Sequence, residues 1–191
     1  MLILVRHGRT VLNAEGRLQG RLDIPLDDVG KLEAVAVAAR VGPVDELISS
    51  PLARARQTAD AWGLPYEVDD RWVELSYGEF EGVPHADFPS AVWSRWWRDG
   101  DWVPEGGESL NGLVTRVREA CEEMIERARD HRVAVVSHVS PIKAAVAWSI
   151  GADIDIAWRS HLSHASICRI DMREIGPVLC TFNETVEPMA G

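Results

Sequence analysis

Lysine is almost missing from this chain. Lys31 and Lys143 are the only two among 20 basic side chains in 191 residues, and 30 acidic side chains bring the net charge to −10. That field repels nucleic acid and anionic membrane surfaces, so neither is an expected partner. Cysteine is scarce too. Cys121, Cys168 and Cys180 are odd in number and sit beside Ala120, Ile167 and Leu179, which reads as reduced core thiols and not a disulfide framework. No apolar run approaches the roughly 18 residues of a membrane-spanning helix. The opening run Met1-Leu2-Ile3-Leu4-Val5 is too short for a signal peptide, has no basic stretch before it and ends in Arg6, so a cytoplasmic location is expected. There is no Gly-x-Ser-x-Gly elbow, no Walker loop and no dinucleotide-type glycine pattern, which sets aside three common enzyme chemistries. The HExxH zinc motif is absent, and no carboxylate cluster adjoins His161 and His164, so no metal site is expected.

What is present is an ordinary globular composition, 46% hydrophobic and 26% charged, of a length that fits one domain with a sizeable core. The first apolar run reads as a buried strand over Met1–Val5. A long polar loop follows from Gly8 to about Asp27, then an alanine-rich helix over Lys31–Arg40 with Asp27 or Asp28 as N-cap. Glu46–Ser49 is a second strand. Ser50-Pro51 reads as an N-cap and first position opening a helix that runs to about Trp62. Tyr66–Val68 is a short strand. Arg71–Gly82 is an acidic, glycine-containing loop. Ser109–Arg129 is the clearest helix, with Leu110, Leu113, Val114, Val117, Cys121, Met124 and Ile125 at three- and four-residue steps. Val133–Ser137 is another buried strand and Pro141–Ile150 another helix, ended by Gly151. Ile167–Met172 and Val178–Phe182 close the chain as strands. Strands alternating with helices predict an α/β sheet covered on both faces.

Two strand ends carry histidine, in Val5-Arg6-His7-Gly8 and Val136-Ser137-His138. A third, Ile48-Ser49-Ser50, leads into a helix whose first turn holds Arg54, and the acidic loop supplies Glu74. In a parallel sheet such ends converge on one rim, where ligands bind. Two histidines, two arginines and a glutamate suit phosphoryl transfer. Neutral imidazole is a good nucleophile near neutral pH and can form a covalent intermediate that splits one hard step into two. Arginine forks bind phosphoryl oxygens bidentately. A glutamate facing the leaving oxygen can supply its proton. Asn13 and backbone amides of the glycine-containing loop can add hydrogen bonds.

These blocks resemble a known family. Arg6-His7-Gly8-Arg9-Thr10 with Asn13, Gly16-Arg17-Leu18-Gln19-Gly20, Asp23, Pro25-Leu26 and Gly30 is similar to the signature of the histidine phosphatase superfamily, in its phosphoglycerate-mutase-like branch. Ser49 to Ala59, the Glu74–Gly82 loop, Pro104-Glu105-Gly106-Gly107-Glu108-Ser109 and Val135-Val136-Ser137-His138 resemble that family's later blocks, in order. The resemblance implies a three-layer fold with a mostly parallel sheet, one antiparallel strand and helices on both faces, as one domain over residues 1–191. It implies His7 as the phosphorylated nucleophile, Arg6, Arg54 and His138 as the phosphate pocket, and Glu74 as the acid and then the base. Asn13, Gln19, Gly20 and Val139 complete the expected substrate-binding set. No metal or organic cofactor is implied. The expected activity is hydrolysis of a small-molecule phosphate monoester through a phosphohistidine. The alternatives are mutase-type transfer, which favours longer chains with more closing structure, a non-catalytic phospho-ligand binder, and a metal-dependent hydrolase. Val139 stands where glycine is common, Arg9 where an acid or amide is frequent, and Phe80 where tryptophan is frequent. The tryptophan-rich excursion at about 85–107 puts Trp93, Trp96 and Trp97 on one helical face, as a packed sub-core, a lid over the site, or both.

Overall fold

The computed structural model describes residues 1–186. Its centre is a six-stranded sheet. β1 (Leu2–Arg6) lies next to β4 (Val133–Ser137), and β4 next to β2 (Glu46–Ser49), all parallel. β3 (Glu67–Val68) extends this side, parallel to β2. On the other side β5 (Ile167–Arg173) pairs antiparallel with β1, and β6 (Gly176–Glu184) antiparallel with β5. The order is β3-β2-β4-β1-β5-β6, and β5 alone runs against the rest. The expected mostly parallel sheet with one antiparallel strand is the one found.

β1 is apolar throughout because both faces are covered. Leu2 and Leu4 join Val133 and Val135 in one core, while Ile3 and Val5 join Ala134 and Val136 in the other. The first core is closed by α5 (Leu110–Asp130), through Leu113, Val117 and Met124, and by α6 (Val139–Ile150), through Ile142 and Ala145. The second is closed by α2 (Asp28–Val41), through Val37 and Val41, and by α3 (Ala53–Ala59), through Ala55 and Ala59. Truncating one such buried large side chain costs about 2–5 kcal/mol.

Local signals set the boundaries. Asp27 caps α2 by accepting from the Gly30 N–H at 2.7 Å, and Ser109 caps α5 by accepting from Gly112 at 3.0 Å. Gly151, at φ +64°, ends α6. α6 begins two residues before Pro141, which fits because a first-turn residue needs no N–H.

Three expectations are corrected. The stretch after Gly8 is not all loop: Thr10 and Asn13 form a reciprocal cap that opens a short helix, α1 (Val11–Ala14). Ser50 is not an N-cap: α3 starts at Ala53, its cap Leu52 makes no side-chain bond, and the Ser50 hydroxyl goes to a histidine instead. Cys121 and Cys168 are buried, but Cys180 is exposed, because β6 is an edge strand and Cys180 points away from its covered face. Two further helices, α4 (Ser90–Arg98) and α7 (Ile156–Arg159), flank the rim described next. Among the described residues no helix is long and apolar enough to cross a membrane.

Candidate active site

The β1–β4 register pairs Arg6 with Ser137, so His7 and His138 leave the sheet side by side. Their ring centroids lie 5.0 Å apart. Both strands end on the same rim as β2, which delivers Ser50 and then α3 with Arg54. Arg54 binds the histidines together: its Nε donates to His7 Nε2 and to His138 Nδ1, each at 3.2 Å. Its terminal nitrogens donate to the carbonyls of Leu22 and Gly20, both at 2.7 Å. Thr58, one turn later, accepts from the Gly8 N–H at 3.1 Å and donates to the Arg54 carbonyl at 2.7 Å. Gly8 is glycine because of close approach: a Cβ there would strike the Gly30 carbonyl, and one at Gly30 would strike that of Arg9.

These contacts assign the protons. The Gly8 carbonyl can only accept, so the 2.7 Å bond from His7 Nδ1 puts the proton on Nδ1 and leaves the lone pair on Nε2. Guanidinium can only donate, so His138 carries its lone pair on Nδ1 and gives its Nε2 proton to the Ser50 hydroxyl at 2.6 Å. His7 and His138 are 2% and 0% exposed. Burial pushes both pKa values well below the ordinary 6.5, and Arg54 and then other cationic neighbours push the same way, with the Gly8 carbonyl opposing them at His7. Both rings are therefore neutral at neutral pH. Burial also lowers Arg6 and Arg54 to about 10, with Glu74 opposing the change. Both guanidiniums keep their charge.

The rim opens into a cavity of about 330 Å³. Arg6, His7, Asn13, Gln19, Gly20, Arg54, Glu74 and Val139 all line it, as expected from the sequence. His138 does not reach its surface; it sits behind Arg54 and His7. Arg6 donates to the Leu162 carbonyl at 2.6 Å, but its buried Nε–H has no partner among the described residues. Glu74 Oε1 accepts from the N–H groups of Leu75 at 2.8 Å and Ser140 at 3.2 Å, the latter in the first turn of α6. The Glu74 carbonyl is braced from below by Arg21 at 3.2 Å and Arg116 at 3.4 Å, which also hold Glu108. In a chain of net charge −10 the cavity wall carries, among the described residues, Arg6, Arg17, Arg54 and Lys143 against the single carboxylate Glu74.

The tryptophan segment divides as its spacing allows. Trp96 is buried and packs in the core, Trp93 lines the cavity, and Trp97 is 60% exposed. Trp93 is held by Phe88 at 4.4 Å and Trp158 at 5.2 Å between ring centroids. Sequence reasoning missed Arg17, Tyr77, Ser140, Lys143 and Trp158 on the wall, and Ser50 behind it. The only signal for Ser50 and Ser140 was proximity to Arg54 and His138. His85 is exposed and also borders the cavity.

A family model described as histidine phosphatase superfamily, branch 1, matches residues 2–185. The chain belongs to that superfamily. Among similar proteins is a bifunctional protein of Mycobacterium tuberculosis, 36% identical over 87% of this chain and 48% of its own length, so this chain spans about half of that relative. Phosphoserine phosphatase 1 of Hydrogenobacter thermophilus is 33% identical over 96% of this chain and 92% of its own. A solved structure of mycobacterial glucosyl-3-phosphoglycerate phosphatase with VO3 shares 31% identity and superposes with a TM-score of 0.85, covering 96% of this chain and 98% of that one.

Proposed function

We propose that this chain hydrolyses a small phosphate monoester through a phosphohistidine at His7, with no metal or organic cofactor. The observation that carries the reading is the protonation pattern of His7. Its Nδ1 proton is committed to the Gly8 carbonyl, and its Nε2 lone pair, at the cavity, accepts the Arg54 Nε–H, which turns to a phosphoryl oxygen as the attack begins. In the first step Nε2 attacks phosphorus in line with the ester oxygen. The N–P bond forms as the P–O bond to the alcohol breaks. Arg6 and Arg54 take the charge of the phosphoryl oxygens, and the unpartnered Nε–H of Arg6 is a donor ready for one of them. Glu74 gives its proton to the departing alkoxide. Both main-chain bonds to Glu74 fall on Oε1, so Oε2 is the oxygen that carries this proton. In the second step Glu74 takes a proton from water, the oxygen attacks phosphorus, and phosphate leaves with Nε2 neutral again.

His138 supports this arrangement from behind, fixing Arg54 through Nδ1. Relatives named for phosphoserine and glucosyl-3-phosphoglycerate support a small phosphorylated substrate. The test is leaving-group dependence. Glu74→Gln should slow alkyl phosphates about 10²–10⁴-fold, the range of general-acid contributions. It should slow release of p-nitrophenol, which leaves without a proton, far less in the first step. Equal losses in burst-phase release of both alcohols would remove Glu74 from the acid role.

A further inference from the structure

Lys143 is a buried cation that the chemistry above does not use. It is 8% exposed, lines the cavity, and is one of only two lysines in the chain. Nζ donates to the carbonyls of Ala157 at 2.7 Å and Ser160 at 2.6 Å and, among the described residues, to no carboxylate. An ammonium has three N–H donors, so one remains. A charge taken out of water with only neutral partners is costly until a counter-ion arrives.

Its position says which part of a substrate would bring that ion. Ser140, whose N–H holds Glu74, and Lys143 are three residues apart on α6 and so share one face. Lys143 therefore stands on the α6 face that meets Glu74, where the alcohol departs, with Arg6 as its other charged neighbour. Leu113, Ile154, Ala157 and Trp158 supply apolar wall to the same cavity. The phosphoryl group already has two guanidinium forks. A lone ammonium with one spare donor matches a monoanion better than a second phosphate, whose oxygens suit an arginine fork.

We propose that Lys143 determines specificity by receiving a carboxylate on the alcohol half of the substrate, which makes the substrate class phosphorylated carboxylic acids. This rests on the hydrolase reading above. The competing role is purely structural, with Lys143 closing the last carbonyls of α7.

The test compares matched esters with and without a carboxylate: 3-phosphoglycerate against glycerol 3-phosphate, and O-phosphoserine against O-phosphoethanolamine. The native chain should prefer the carboxylate ester in each pair by about tenfold or more in kcat/KM. Lys143→Met should collapse that ratio by about tenfold or more, chiefly through KM of the carboxylate ester. A native chain with no preference overturns the proposal without need of a variant. A variant that loses equally on both members of a pair assigns Lys143 the structural role. Failure to turn over any phosphate monoester overturns the hydrolase reading itself and is told apart from the other two results.

Discussion

Acid should destabilise this fold earlier than carboxylate titration alone would. His7 and His138 are buried neutral beside Arg54, with pKa values held well below 6.5 by burial first and cationic neighbours second. His164 is pushed down to about 4, by burial and then by Arg6 and Arg9. The unfolded chain protonates all three near pH 6.5 and the native chain does not. Stability then rises with pH wherever the unfolded state holds more protons. Each such histidine contributes stability that is complete above its unfolded pKa and is lost as pH falls toward its folded one. One proton per histidine corresponds to about 1.4 kcal/mol per pH unit. Between about pH 7.5 and about pH 5.5 the three together should remove about 4 kcal/mol, a large share of an ordinary domain's stability. His85, lowered by partial burial and then by Arg6, adds a change of the same sign. Urea unfolding at stepped pH values reads this directly. His164→Gln removes one proton from the count, so about a third of the loss should disappear. A stability profile flat over this window, or a loss undiminished in His164→Gln, would refute the burial argument for these rings.

Two further substitutions probe the scaffold. Ser50→Ala removes the only acceptor among the described residues for the buried His138 Nε2–H; it should cost about 1–3 kcal/mol in chemical denaturation and lower kcat/KM, because His138 is no longer fixed in the tautomer that holds Arg54. Gly30→Ala tests the close approach of α2 to the Gly8-Arg9 loop. A glycine-to-alanine change in a helix ordinarily stabilises by about 1 kcal/mol, whereas here the Cβ meets the Arg9 carbonyl, so unfolding measurements should show a loss of more than about 1 kcal/mol together with lost turnover.

The sheet was legible because its central strands are buried on both faces. β2 and β4 have the bounds that their apolar runs predicted, and Asp27, Ser109 and Gly151 cap helices where their chemistry suggests. The histidine, arginine and glutamate positions were legible as ordered blocks at strand ends. What was hidden depends on partners far along the chain. Ser50 offers local capping chemistry, yet its hydroxyl is taken by His138, 88 residues away. Lys143 looks like one more helix residue until α7 brings the Ala157 and Ser160 carbonyls to it. Apolar neighbours cannot tell Cys168, on an inner strand, from Cys180 on an edge strand, since strand position decides which side is covered.

The central claim is that phosphate passes through His7. Rapid acid-free quenching of the enzyme with a radiolabelled phosphate ester, followed by peptide mapping, tests it most directly. The account predicts an acid-labile, base-stable label on the peptide containing His7, formed and lost at rates consistent with turnover, and absent from His7→Ala along with turnover. Label on another residue, or turnover undiminished in His7→Ala, would contradict it.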